Sequence, residues 1–297
     1  MKKSLAENAF RTVCWFDVFG QAASLEEIHR FLLFEKSDPK KVEQALKKDR
    51  RIGSSFGFYF LKGKNASVLK RCGRQFQAGK LWKRVARHLF LLRWTPFLRL
   101  AAIGNTLAMG WPDKNSDIDL LIVAPKKRLF TARFFLTFWS QIFRMRRHGR
   151  KIAGRFCLSF FLTDNAANLE PLKIGTNDLY LAFWIANLIP IWGDSAEFFA
   201  ANNWIKTYFP NLKLLTTQQK FRRKTWSELI LSGWLGDLLE KILKNWQLKR
   251  AEKKRLNRTK NAVVISDEIL KFHETDQRAH FLQEWEKRVN AKRAAKK

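Results

Sequence analysis

Apolar residues recur at helical spacing from Leu5 to Phe19, where Phe10, Val13, Cys14, Phe16 and Val18 fall on a common stripe and Gly20 ends it. Leu25, Ile28, Phe31 and Leu32 predict a second amphipathic helix. Ser24 is its N-cap, and Glu27 lies three residues on, the spacing of a capping box. Ser37-Asp38-Pro39 opens a third helix carrying Val42, Ala45 and Leu46, with the proline at a permitted first-turn position. From Ile52 to Leu61, the turn residues Gly53, Ser54, Ser55 and Gly57 lie among β-prone residues, which predicts a hairpin.

Beyond the hairpin, Lys64 to about Trp94 reads as a long basic helix and connector. The order strand, strand, helix, strand then follows over Leu98–Ile103, Ile118–Ala124, Leu129–Phe143 and Phe156–Leu162. The unbroken apolar run of the second strand suits burial on both faces. Asn177 to about Trp246 is predicted to be largely helical. Thr176 or Asn177 would cap Leu179–Ile189, and Asp194 or Ser195 would cap Glu197–Tyr208.

The composition adds a surface to this pattern. The chain has 297 residues, 46% hydrophobic and 28% charged, which excludes a disordered chain. Lys+Arg number 57 against 26 Asp+Glu, a formal charge of +31. Polyanionic partners are therefore expected, nucleic acid ahead of an anionic membrane surface. No acid occurs between Asp49 and Asp113, or between Asp119 and Asp164, and the run Lys249–Lys260 and the tail Asn290–Lys297 are basic. Cys14, Cys72 and Cys157 are far apart and odd in number. They fit no disulfide framework and suit a reducing, cytoplasmic setting, with Cys157 as a small core residue. No run is long and apolar enough to predict stable membrane insertion.

Candidate chemistry concentrates between Ala101 and Val123. Gly104-Asn105 ends one strand, and Asp117-Ile118-Asp119 begins the next. Side chains at i and i+2 of a strand share a face, so Asp117 and Asp119 project together. Two such carboxylates call for a cation, and hard oxygen donors suit Mg²⁺ or Mn²⁺ carried with nucleotide phosphates. Gly104 would let the backbone approach a phosphate, with Asn105, Thr106 and Ser116 as further nucleotide contacts. Trp111, beside Pro112, is either a base-stacking aromatic or a lid packed on the sheet.

The Gly turn, the spacer and the Asp-x-Asp in an apolar strand resemble the polymerase-β-like nucleotidyltransferase superfamily. The later segment Ile265–His273 adds to the likeness. Residues 5–62 look like a winged helix-turn-helix. The resemblance implies an α+β chain with a small mixed-sheet nucleotidyltransferase core, an N-terminal winged helix and a helical C-terminal region. Its units are 1–63 winged helix, 64–95 basic connector, 96–170 core, 171–262 helical region and 263–297 basic tail. It further implies transfer of a nucleotidyl group from an NTP to a hydroxyl acceptor, with Asp117 and Asp119 holding Mg²⁺ or Mn²⁺. Lys40, Lys41, Lys47 and Lys48 on the third helix, with Lys126, Lys127 and Arg128 after the Asp-x-Asp strand, would contact nucleic acid. The superfamily places a third acid on the next core strand. Arg155–Leu162 has none, and Asp164 and Asp178 are the nearby substitutes. The alternative is a catalytically weak homologue that acts as a nucleic-acid-binding regulator.

Overall fold

A computed structural model describes residues 4–217, 226–255, 263–272 and 276–294. The chain begins with α1 (Leu5–Val18), β1 (Ala23–Ser24), α2 (Leu25–Arg30), α3 (Pro39–Lys48), β2 (Ile52–Ser55) and β3 (Phe58–Leu61). Local chemistry sets the helix starts. Ser24 accepts from the Glu27 amide, and the Glu27 carboxylate accepts in return from the Ser24 amide at 2.9 Å. Asp38 caps α3 through the Lys40 amide, and Pro39 occupies the first turn. The three strands form a small antiparallel sheet in the order β1-β3-β2. Gly53, Ser54 and Ser55 lie in β2 itself, and the turn is made by Phe56 and Gly57, both at positive φ.

Next come α4 (Ala66–Arg87), α5 (Phe90–Arg93), β4 (Leu100–Ile103), α6 (Asn105–Ala108), β5 (Ile118–Ala124), α7 (Leu129–Ile142) and β6 (Phe156–Thr163). The chain continues with α8 (Leu179–Ala186), β7 (Ile189–Gly193), α9 (Ala196–Ala201), α10 (Trp226–Ile230), α11 (Trp234–Arg255), β8 (Val263–Ile265), β9 (Ile269–Phe272) and α12 (Arg278–Ala294). A mixed six-stranded sheet runs β7-β4-β5-β6-β9-β8, parallel only between β5 and β6.

β5 is buried on both faces. Leu121 and Val123 join the core shared with α1 and α8, while Ile118, Leu120 and Ile122 join the core under α7. The sheet thereby separates two layers. One holds the N-terminal helices, α8 and α12; the other holds α5, α7 and α11.

Several expectations change. The stretch after Asn177 is not uniformly helical, because Ile189–Gly193 adds an edge strand to the core sheet. Pro190 sits at a register shift in that edge strand, where a missing donor is tolerated. Gly193, at φ 80°, lies so close to the Arg99 carbonyl that a Cβ would fall 1.8 Å from its oxygen. The cap of α8 is Asp178, which accepts from the Leu181 amide, rather than Thr176 or Asn177. The helix expected over Glu197–Tyr208 is α9, followed by a turn of 3₁₀-helix. Residues 263–272 are a strand pair in the core sheet, and α12 packs on α1 through a Trp285–Arg11 carbonyl hydrogen bond and the Arg288–Asp17 ion pair. Residues 256–260 of the basic run, His273 and residues 295–297 lie outside the described residues. No described helix is long and apolar enough to cross a membrane.

Candidate functional site

The start of β5 brings Asp117 and Asp119 to one wall of a cleft of about 510 Å³. Val18, Phe19 and Arg74 line it from the N-terminal side, Asn105 and Thr106 from α6, Tyr180 and Trp184 from α8, and Lys271, Arg278 and Phe281 from the C-terminal segment. The cleft therefore forms where the three parts of the chain meet, with Ser116 among its lining residues.

Asp119 is strongly perturbed there. Burial, followed by the neighbouring Asp117 charge, raises its carboxyl from 3.8 to about 7, against hydrogen bonds from Asn105 and Cys157 and the nearby Arg147 charge. The pair is short of positive charge even with Arg147 present. Arg147 Nη1 donates to Asp117 Oδ2 across 2.6 Å. It comes from the loop between α7 and β6, and nothing in the local sequence marked it.

Cys157 has a place beyond the one expected for it. Parallel pairing sets it directly opposite Asp119 in the register. Its thiol lies with the two carboxylates in a group whose ligand atoms are all within 4.8 Å of one another. It is buried, as expected of a small core residue, and also stands beside the two carboxylates. Burial first, and the Asp119 charge second, push the thiol up to about 12, so it is neutral and serves as a weak donor. Two carboxylate oxygens fit a hard divalent cation, and the third position offers sulfur in place of oxygen.

The Gly104 turn is built differently from the expectation. Trp184 Nε1 donates to Asn105 Oδ1 at 2.8 Å, and the Asn105 side chain also hydrogen-bonds Asp119. Asn105 thus orients a carboxylate and is already engaged, at a positive φ of 51° that asparagine tolerates. A Cβ on Gly104 would come within 3.2 Å of Trp184 Nε1, so the space over the glycine is taken by the indole. Thr106 remains a cleft-lining hydroxyl. Trp111 is buried against Phe16, Phe19 and Phe183 and is not a free stacking surface.

Cations line the cleft as well, with Lys271 on β9 in the same sheet as Asp119. Lys271 is lowered by burial and by Arg278, and Arg74 is lowered by burial. Arg278 is paired with Asp178 and Asp276, both at 2.7 Å. This pairing takes Asp178 out of consideration as a third acid, since its carboxylate also accepts from the Ile174 and Leu181 amides. Asp164 follows the far end of β6 and accepts from the Lys126 amide. At about 3.3 Å per residue, that end lies roughly 20 Å along the strands from Asp119.

The same geometry separates Lys126, Lys127 and Arg128 from the carboxylates. Arg128 is also buried, paired with Asp237 at 2.7 Å, and is no surface contact. Lys40, Lys41, Lys47 and Lys48 are exposed on α3, with Lys47 paired to Glu43. Compared with known proteins, the chain matches no family model, no curated protein and no solved structure.

Proposed function

We propose that the chain is a nucleotidyltransferase of the polymerase-β-like kind, which moves a nucleotidyl group from an NTP to a hydroxyl acceptor with release of pyrophosphate. The observation that carries this reading is the cleft itself: Asp117 and Asp119 line it beside the Gly104 turn, together with the cations Arg74 and Lys271. Mg²⁺ or Mn²⁺ held by the two carboxylates would neutralise charge on the triphosphate. Arg74 and Lys271 offer cations to phosphate oxygens, and the Thr106 and Ser116 hydroxyls offer hydrogen bonds. Asn105, held by Trp184, fixes the Asp119 carboxylate in place. The apolar side of the cleft, formed by Phe19, Tyr180 and Phe281, suits a nucleoside.

A specific observation favours a second reading. Cys157 stands across from Asp119 where the superfamily pattern places an acid, and Arg147 already neutralises Asp117. Without a third carboxylate the acceptor hydroxyl lacks a dedicated base, a contribution typically worth about a hundredfold or more. A weakly catalytic, nucleic-acid-binding regulator fits that arrangement. The order of α1 to β3 supports a winged helix, and the exposed lysines of α3 support polyanion binding by it. Titration of a fluorescent NTP with and without Mn²⁺ tests what both readings share. Metal-dependent binding that Arg74→Ala and Lys271→Ala weaken supports the cleft as the nucleotide site, and unchanged binding in both variants removes it.

A further inference from the structure

The layer on the α7 side of the sheet ends in a face that the cleft does not use. Glu228 on α10 and Glu240 on α11 are buried against the protein. The Glu228 carboxylate accepts from the Phe97 amide, and Glu240 accepts from the Phe130 and Thr131 amides at 3.0 and 2.8 Å, capping the start of α7. Asp237 is paired with Arg128. Between Trp226 and Trp246 every acid is therefore engaged with the protein, and the exposed side carries a row of apolar residues beside Lys241.

That side is not a scatter of single residues. Trp234, Leu238, Ile242 and Trp246 recur every four residues along α11 and are exposed, Trp234 by 73%, while Trp226 on α10 is exposed by 84%. The stripe continues onto the neighbouring helices by ring contacts. Trp246 meets Phe134, Phe134 stacks on Phe138, Phe138 meets Trp139, and Trp139 meets Trp94 beside α5. An amphipathic helix ordinarily points such a stripe at the core. Here Leu243, with Leu239 and Leu248 beside it, already meets the core, and this second apolar row is left outside.

Positive charge borders this face. Arg250 lies over the Trp246 ring, and Arg133 donates to Gln247 on α11 at 2.6 Å. Burial lowers Arg133 to about 10, with Arg146 and Arg250 adding like-charge repulsion, so three guanidinium groups stand close together. Lys241 and Lys249 are exposed on α11 as well.

We infer that the α10–α11 face, continued across α7 to Trp94, docks on an anionic lipid surface. Aromatic and aliphatic side chains together, bordered by Lys and Arg, match the boundary between acyl chains and acidic headgroups, where tryptophan is at home. A nucleic acid would use the rings and the cations but would leave Leu238 and Ile242 without a role. A second copy of a chain carrying +31 would bring like charge to like charge.

The test uses the full chain with phosphatidylcholine vesicles containing or lacking about 30% phosphatidylglycerol, since acidic headgroups supply the attraction. Wild type should co-sediment with the acidic vesicles at low salt and not with the neutral ones. Its tryptophan emission should shift to the blue. Trp234→Glu and Ile242→Glu, both at exposed positions, should each weaken binding by about tenfold or more while the circular dichroism spectrum stays unchanged. Arg250→Glu should weaken it in the same direction. The inference is overturned if wild type stays in the supernatant, or if the two apolar-face variants sediment like wild type, which would mean charge alone acts. It is equally overturned if light scattering shows a dimer that Ile242→Glu converts to monomer, or if the variants lose RNA binding while vesicle binding persists.

Discussion

Arg147 Nη1 lies 2.6 Å from Asp117 Oδ2, so the paired carboxylates of the cleft carry an internal counter-cation. The guanidinium side chain is 37% exposed and the carboxylate 16% exposed, so the arginine has a path into solvent. A divalent ion and Arg147 would compete for the same oxygen. Arg147→Met should therefore bind Mn²⁺ about fivefold more tightly, the equivalent of about 1 kcal/mol for an ion pair near the surface. Isothermal titration with Mn²⁺ alone reads this directly. Weaker binding in the variant would show that Arg147 supports the ion and does not compete with it.

Cys157 occupies the register position opposite Asp119. Cys157→Asp adds a third carboxylate beside two others, and like charges at that range repel. The variant should melt at a lower temperature than wild type in EDTA and recover in Mn²⁺. Nucleotidyl transfer should rise by about a hundredfold, the scale of general-base help. A variant that melts lower but gains no activity would mean that Cys157 does not stand in for the acid.

Asp119 gives the chain a pH dependence of known sign. Its carboxyl, raised from 3.8 to about 7 by burial and Asp117, is protonated in the folded chain where the unfolded chain is ionised. Between about pH 4 and 7 the native state binds the extra proton, so stability falls as pH rises through that window. Asp119→Asn removes the titration. Melting temperatures followed across the window should decline less for the variant than for wild type, and parallel curves would contradict the assignment.

Arg278 joins the start of α12 to the cap of α8. Its partner Asp178 is almost fully buried, with a side chain only 2% exposed. Removing one member of a buried pair leaves an uncompensated charge, so Arg278→Ala should cost about 3 kcal/mol. Urea unfolding measures the loss. A cost below about 1 kcal/mol would mean that the Ile174 and Leu181 amides satisfy Asp178 alone.

The local signals in the sequence translated well where the cause was local. Ser24 and Glu27, Asp38 and Pro39, and the apolar run of β5 each stand close to the partner that makes them legible. Asp117 and Asp119 were readable as a pair because a strand repeats every two residues. Cys157 was not, since its role comes from the parallel pairing of β5 with β6, and Arg147 was not, since it reaches Asp117 from the loop before β6. Strand β7 was hidden because Ile189–Trp192 continues the apolar pattern of α8, and its edge position is what accommodates Pro190. Arg128 read as a surface cation, and only the fold brings Asp237 to it. Trp111 read as a stacking aromatic or a lid on the sheet, and the fold instead buries it against Phe19 and Phe183 beside the cleft.

The central claim is that Asp117 and Asp119 serve nucleotidyl transfer. The most direct measurement incubates the protein with each α-labelled NTP, Mn²⁺ and total RNA, beside the Asp117→Asn/Asp119→Asn double variant. The account predicts label on RNA or on the protein with wild type, and none with the variant, whose melting curve should remain cooperative. Label transferred equally by both proteins, or by neither while both bind RNA alike, would contradict it.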